Sequence, residues 1–152
     1  MSRFMLGLLV VGFVVAVTLQ AAQADEKKKS KEYTVPKDGL TIEGEVKKDD
    51  PKVKIKIADD LSVELCSQVY LVKLTADKKY KMTLNRPEGD SSDPFLVVQD
   101  SEGKQLAFDD DSGGGLNSRL TFEPKATATY KIFAADLRND GGKYTLKIVE
   151  VK

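Results

Sequence analysis

The stretch DPFLVVQDSEGKQLAFDDDSGGGLNSRLTF, residues 93–122, decides the fold of this chain. It contains a strand-like segment at 95–100, a turn at 101–103 and a second apolar segment that runs into an acidic, glycine-rich loop. β-Branched and aromatic residues suit strands, and glycine suits the turns between them. Two further alternating segments follow up to Tyr144, so this region predicts successive short strands joined by turns.

The remainder of the chain shows the same two-residue period. In 52–57, lysines alternate with β-branched residues, which is the pattern of a half-buried strand. The same spacing recurs in Tyr70, Val72 and Leu74; Tyr80, Met82 and Leu84; Leu96 and Val98; Leu120 and Phe122; Tyr130 and Ile132; and Tyr144, Leu146 and Ile148. The turn residues at 139–142 predict a hairpin, since Asn, Asp and Gly tolerate positive φ. Many short strands without amphipathic helices predict an all-β fold, an antiparallel sandwich or barrel.

The N-terminal residues have the layout of a secretory signal peptide. Arg3 supplies a positive charge, 4–19 is almost entirely apolar, and 22–24 has the small-x-small pattern that signal peptidase accepts. The apolar run of about 16 residues is shorter than the roughly 20 needed to span a bilayer, although an uncleaved anchor is the alternative. We therefore predict a signal peptide over 1–24, cleaved after Ala24, no transmembrane segment in the mature chain, and a secreted or periplasmic location.

The mature chain of about 128 residues suits one domain. Its first residues are a charge run typical of a solvated tail, so we predict a charged, flexible segment over 25–38 and one folded domain over 39–152. The whole chain balances 24 basic against 24 acidic residues, which argues against nucleic-acid binding. Cys66 is the only cysteine and forms no internal disulfide; we interpret it as a small buried residue rather than a reactive thiol.

The absence of histidine from the sequence limits catalysis most. It excludes nucleophiles activated by histidine and zinc sites that use histidine, and one cysteine excludes a thiolate zinc site within one chain. A hydrolase with two carboxylates stays open in principle, but no spacing singles out such a pair. We therefore predict a protein that is not an enzyme, with no catalytic residue and no assigned organic cofactor.

The acidic loop is the candidate metal site. An EF-hand starting at Asp109 needs an acidic ligand at its fifth position and a glutamate at its twelfth, where this chain has Gly113 and Leu120. A calcium site of another kind fits the composition, because calcium favours carboxylate and carbonyl oxygens and glycines let carbonyls turn inward. We assign Asp109, Asp110 and Asp111 as candidate calcium ligands. The alternative is that they end a strand and block edge-to-edge pairing.

The segment from Tyr70 to Val149 resembles the bacterial pre-peptidase C-terminal (PPC) domain. The residues that carry the resemblance are, in order, Tyr70 to Leu74, Tyr80 to Leu84, Asp93-Pro94-Phe95-Leu96, Gly103, Leu106, Asp110-Asp111, Asn117-Ser118, Leu120, Phe122, Tyr130, Gly142, Tyr144 and Leu146. The resemblance implies an antiparallel, jelly-roll-like β-sandwich on an exported protein. In family members that bind calcium, ligands lie in a Glu-Pro-Asn-type motif before the first strand and just ahead of the strand that matches 70–74. This chain has no such motif, and 66–69 contains no carboxylate.

Three functions remain open at this point. The resemblance, the predicted export and the missing catalytic groups favour a secreted, non-catalytic binding or accessory module for an extracellular or envelope protein or polysaccharide. The alternatives are a self-associating structural component of the envelope and a small hydrolase that uses carboxylates. Tyr33 and Phe133 are the aromatic residues that the alternation leaves off the predicted core faces, so they are the candidates for ligand contacts.

Overall fold

A computed structural model describes residues 31–152, and its regular structure is entirely β-strand. The strands are β1 (Glu32–Thr34), β2 (Leu40–Val46), β3 (Lys52–Ala58), β4 (Leu61–Leu74), β5 (Lys79–Asn85), β6 (Pro94–Gln99), β7 (Gln105–Asp109), β8 (Ser118–Phe122), β9 (Ala128–Asp136) and β10 (Gly142–Val151). The predicted signal peptide and its cleavage site lie outside the described residues. Within 31–152, no helix has the length and apolar character needed to cross a membrane.

The strands form a β-sandwich of two sheets, which confirms the predicted fold class. The front sheet has the order β1-β4-β9-β6-β7, and the back sheet has the order β2-β10-β5-β8. Neighbouring strands run antiparallel, except that β1 pairs with β4 in parallel. β1 lies within 25–38, so the ordered sandwich includes residues that we assigned to the N-terminal segment.

The main core lies between the two sheets and contains the alternating residues that the sequence singles out. Its fully buried members are Val72, Leu74, Met82, Leu84, Leu96, Val98, Ile132, Ala134, Leu146 and Ile148. Because successive side chains point to opposite faces of a strand, alternation gives each sheet one apolar face to bury. Each large aliphatic side chain stabilises the fold by roughly 1.5–3 kcal/mol through burial.

A pair of tyrosines ties the two sheets together at one end of this core. The hydroxyl oxygens of Tyr70 in the front sheet and Tyr144 in the back sheet lie 2.6 Å apart. Burial raises the pKa of both phenols above the usual value of a tyrosine. Gly44 lies opposite Tyr144 in the β2–β10 pair, and a Cβ atom at Gly44 would be 2.5 Å from the Tyr144 hydroxyl oxygen. The close approach of this ring explains why the strand position is a glycine.

A second, smaller core lies on the outer face of the front sheet. The first half of β4 pairs with β3 and its second half pairs with β9, so β3 and residues 61–66 form a ribbon that leaves the front sheet. This β3–β4 ribbon packs Val53, Ile55 and Leu65 against residues of the front sheet, namely Phe95, Val97 and Ala135. Every residue of β6 is therefore buried, because each of its faces meets a core. Cys66, at the end of the ribbon, is buried as predicted.

The predicted hairpin at 139–142 is wrong. β9 belongs to the front sheet and β10 to the back sheet, so the connection is a corner between sheets. The local chemistry is as expected, since Asn139 has φ 57° and Gly141 has φ 81°. Turn residues reverse the chain locally, but they do not determine which sheet the next strand joins.

Candidate functional site

The acidic loop that follows β7 is braced by its own first aspartate. Asp109 Oδ2 accepts hydrogen bonds from the backbone N–H groups of Ser112, at 3.1 Å, and Arg119, at 2.7 Å. Asp109 Oδ1 accepts a hydrogen bond from Ser112 Oγ at 2.5 Å. Within the loop, the Gly113 N–H donates to the Asn117 carbonyl at 2.7 Å. Asp109 is thus a loop brace whose two oxygens already have protein donors.

The two aspartates that follow point in different directions. Asp111 is exposed, whereas Asp110 turns inward and its Oδ1 is buried without a hydrogen-bond partner. Asp93, at the start of β6 and only 9 % exposed, also has a buried Oδ1 without a partner. Ser118 Oγ lies 2.6 Å from the Pro94 carbonyl oxygen and 2.7 Å from that of Asp110, which holds the two segments together. The fold thus brings the acidic side chains of Asp93 and Asp110, which belong to separate segments, close together in a partly buried region.

Burial and nearby negative charges determine the electrostatics around the carboxylates of Asp110 and Asp93. Burial raises the pKa of Asp110 above its usual value, and the negative charges of Asp93, Asp111 and Asp109 raise it further. The other carboxylate oxygen of Asp93 lies 3.4 Å from Arg138 Nε, which offsets part of its charge. Asp110 therefore has the less compensated carboxylate of the two.

Residues 31–152 contain no group of three or more acidic, cysteine or histidine side chains placed to hold a metal ion. Asp109, Asp110 and Asp111 do not converge, because the first braces the loop and the third faces solvent. Calcium binding by the loop stays a prediction. Of the three predicted ligands, Asp110 has a buried carboxylate oxygen, Oδ1, without a hydrogen-bond partner, and this oxygen is the one best placed to bind calcium.

Thermal melts with and without millimolar calcium test the metal prediction. A specific site that binds only the folded chain stabilises it by about 2.7 kcal/mol at a hundredfold excess over Kd, so calcium should raise Tm. Asp110→Ala should lose this shift, and Asp111→Ala should reduce it less because Asp111 faces solvent. An unchanged Tm of the parent protein at millimolar calcium would end the metal hypothesis.

Removing the charge of Asp110 is expected to stabilise the calcium-free protein at neutral pH. The folded-state pKa of Asp110 lies above its unfolded value, so its protonated form favours folding. This contribution is complete below the unfolded pKa and is lost as pH rises through the raised folded pKa. Asp110→Asn should therefore raise Tm at pH 7 but not at pH 3, as measured by melts in chelator. Asp111→Asn is the exposed control, and an equal gain from it would contradict the explanation.

Another aspartate, absent from the sequence prediction, organises the corner between the sheets. Asp136 is 1 % exposed, and its Oδ1 accepts a hydrogen bond from the Asp93 N–H at 2.8 Å. Its Oδ2 accepts from the Asp140 N–H, at 2.8 Å, and the Gly141 N–H, at 2.9 Å. In the sequence, the sign of this role was the position of Asp136 directly after the last apolar residues of β9. Asp136 thereby ties the start of β6 to the loop that carries the chain to the back sheet.

One surface cleft lies where the edges of the two sheets meet. This edge cleft has a volume of about 440 Å³. Leu106, Phe122 and Tyr130 form its apolar walls, and Asp100 and Lys125 lie at its polar margin. Leu106 is one of the exposed large apolar side chains of the described chain. Ligand sites usually have such a mostly apolar wall with a few polar groups.

The second cleft, the ribbon groove, lies between the β3–β4 ribbon and the outer face of the front sheet. It has a volume of about 400 Å³ and is lined by Pro51, Lys52, Val53, Lys54, Ser67, Gln68, Val69, Gln99 and Phe133. Phe133 faces away from the main core as predicted, but it packs partly against the second core, and its role in ligand contact stays a prediction. The prediction for Tyr33 is wrong, because this residue of β1 packs against the main core beside Tyr70. Val69 is 51 % exposed and was not predicted. Only the packing of the ribbon on the sheet creates this groove, so alternation by itself could not reveal it.

Comparison with known proteins matches no family model and no curated protein. Among solved structures, the chain is similar to the pre-peptidase C-terminal domain of a Bacillus anthracis collagenase, with 15 % identity, a TM-score of 0.53, and coverage of 78 % of this chain and 95 % of that one. It is also similar to a surface-associated copper-binding protein of Methylomicrobium album, with 11 % identity, a TM-score of 0.51, and coverage of 80 % and 98 %. A periplasmic inhibitor of g-type lysozyme from Aeromonas hydrophila has 10 % identity, a TM-score of 0.47, and coverage of 80 % and 99 %.

These likenesses concern the fold. The match to a PPC domain agrees with the order of motifs between Tyr70 and Val149, and the chain has a PPC-like β-sandwich fold. Identities of this size carry no residue of a site from those proteins to this one.

Proposed function

We propose that this protein is a secreted or periplasmic, non-catalytic binding or accessory module that recognises an extracellular or envelope protein or polysaccharide. The predicted signal peptide and the PPC-like fold support this proposal. The sequence contains no histidine for nucleophile activation, and its one cysteine is buried. One solved structure of similar fold is a surface-associated copper-binding protein, which agrees with a binding role for this fold.

The exposure of large apolar side chains beside two clefts carries the proposal. Two of the four exposed large apolar side chains in residues 31–152 lie at clefts: Val69 borders the ribbon groove and Leu106 lines the edge cleft. Apolar side chains grouped at concave surfaces with polar margins mark ligand and partner sites more often than scattered apolar residues do. A mainly structural sandwich would gain stability by covering them.

Pull-down of the mature chain on immobilised collagen, peptidoglycan and a panel of polysaccharides tests the proposal. We expect retention on at least one matrix, together with loss of retention in Leu106→Asp or Val69→Asp. Failure on every matrix, combined with concentration-dependent oligomers, would instead favour the self-associating structural role. Turnover of a glycoside or peptide that disappears on mutation of one carboxylate would overturn the non-enzyme assignment.

A further inference from the structure

The β3 edge of the ribbon is open over part of its length. Among the described strands β3 pairs only with β4, so its other edge has no strand partner. At Lys56 a side chain takes the place of such a partner. The Lys56 N–H donates to Gln105 Oε1 at 2.9 Å, and Gln105 Nε2 donates to the Lys56 carbonyl at 2.8 Å. The amide of Gln105 thus satisfies both backbone groups of one edge residue, as a neighbouring strand would.

The same edge continues past Gln105 without this protection. In an antiparallel ladder, alternate residues turn both N–H and C=O to the same side. Since Lys56 turns its groups away from β4, Lys54 and Lys52 do so as well. Lys52 and Lys54 are both among the residues that line the ribbon groove. The groove therefore offers about two residues of unpaired strand edge.

The floor and the outer surface of the groove differ in chemistry. The floor carries Val69, which is 51 % exposed, and Phe133, which is half-buried, and these two apolar side chains are flanked by Ser67, Gln68 and Gln99. The outer surface of β3 carries three lysines at alternate positions, and neither Lys52 nor Lys54 belongs to an ion pair within residues 31–152. A strand laid along this edge would put alternate side chains on an apolar floor and beside lysines.

We propose that the ribbon groove binds an extended segment of a protein partner, which adds to β3 as a third strand of the ribbon. Its inward side chains are apolar and lie on the groove floor; its outward side chains are acidic and lie beside the β3 lysines. Main-chain hydrogen bonds supply affinity and the alternating side chains supply specificity, as in other cases of strand addition. This inference rests on the proposed function and narrows its partner from protein or polysaccharide to protein.

Two other occupants fit the groove less well. A second copy of the chain joined edge to edge through β3 would bring lysines against lysines on the outer surface, which destabilises a strand pair. A polysaccharide lacks the regular alternation of donors and acceptors that the backbone groups of Lys52 and Lys54 require. Charge and backbone geometry thus both favour an extended acidic and apolar peptide.

An end-blocked nine-residue peptide of alternating valine and glutamate is the probe, and a valine and lysine peptide is its control. We expect only the acidic peptide to bind, with backbone amide shifts and slowed hydrogen exchange at Lys52 and Lys54 in NMR spectra. Lys54→Pro removes an N–H group of the free edge and should weaken binding at least about tenfold through the lost hydrogen bond. The variant should still fold, since proline is tolerated on a free edge. Val69→Asp should weaken binding similarly without touching the backbone, and Lys147→Ala, on the exposed face of β10 in the back sheet, should leave it unchanged.

Three results would overturn the inference. They are binding of the acidic peptide by Lys54→Pro and Val69→Asp that is as tight as by the wild-type chain, amide shifts confined to the edge cleft, or protection of the β3 edge that appears with rising protein concentration in the absence of peptide. The first two leave the proposed function intact if the wild-type chain still binds a matrix in the pull-down. Loss of all matrix binding, with the peptide still bound at β3, contradicts the proposed function but not this site.

Discussion

Asp136→Ala is expected to lower the free energy of unfolding by on the order of 4 kcal/mol. The carboxylate is buried and accepts hydrogen bonds from three backbone N–H groups, those of Asp93, Asp140 and Gly141. Hydrogen bonds to a charged group contribute about 1.5–3 kcal/mol each, and buried donors left without partners add a penalty. Urea unfolding of the mature chain followed by circular dichroism measures the change.

Two variants make this result interpretable. Asp136→Asn keeps one acceptor oxygen but turns an NH₂ group towards a backbone donor, so we expect a loss of about 2 kcal/mol. Asp140→Ala is the matched control, because the Asp140 carboxylate makes only an exposed ion pair with Lys48, at 3.0 Å. It should change stability by less than about 0.5 kcal/mol. Equal effects of Asp136→Ala and Asp140→Ala would refute the role of Asp136 as the brace of the corner.

Ile55→Ala is expected to cost about 3 kcal/mol of stability. Ile55 is 0 % exposed in the second core, where the β3–β4 ribbon packs on the front sheet. Truncation of a buried isoleucine to alanine loses transfer free energy and leaves a cavity that the surroundings fill only in part. The same substitution should speed hydrogen exchange in the ribbon more than in the back sheet, because the second core holds the ribbon.

Lys54→Ala is the matched control for this prediction, since Lys54 is the exposed neighbour of Ile55 on the same strand. It should change stability by less than about 0.5 kcal/mol. A cost for Ile55→Ala no larger than that of Lys54→Ala would mean that the ribbon does not pack on the sheet. In that case the ribbon groove would also lose its structural basis.

Much of the sandwich was predictable because alternation reports directly on burial. The alternating residues around Val72, Ile132 and Leu146 proved to line the main core. The continuous apolar run of β6 indicated a strand, but the sequence did not show why both faces of this strand are buried. One face is covered by the ribbon of residues 52–66, which is distant in the chain. The sheet assignment of β10 was equally hidden, because the turn before it has the chemistry of a hairpin.

The candidate sites were predictable only in part. The acidic loop was found from composition, but the different directions of Asp109, Asp110 and Asp111 depend on hydrogen bonds within the loop and on the approach of Asp93. Phe133 was found from its parity, whereas its neighbour Val69 in the ribbon groove was not. A cleft between distant segments has no local sequence signature, because its walls come from strands far apart in the chain.

The sequence by itself determined that residues 93–122 form successive strands, that the fold is all-β, either an antiparallel sandwich or a barrel, and that histidine-dependent catalysis is excluded. These features follow from local periodicity and composition, which need no partner in space. The tertiary structure alone decided that the acidic loop is braced by Asp109, that Asp136 holds the corner between sheets, and that β3 keeps an open edge above Val69. These features depend on long-range packing, in which one segment sets the environment of another.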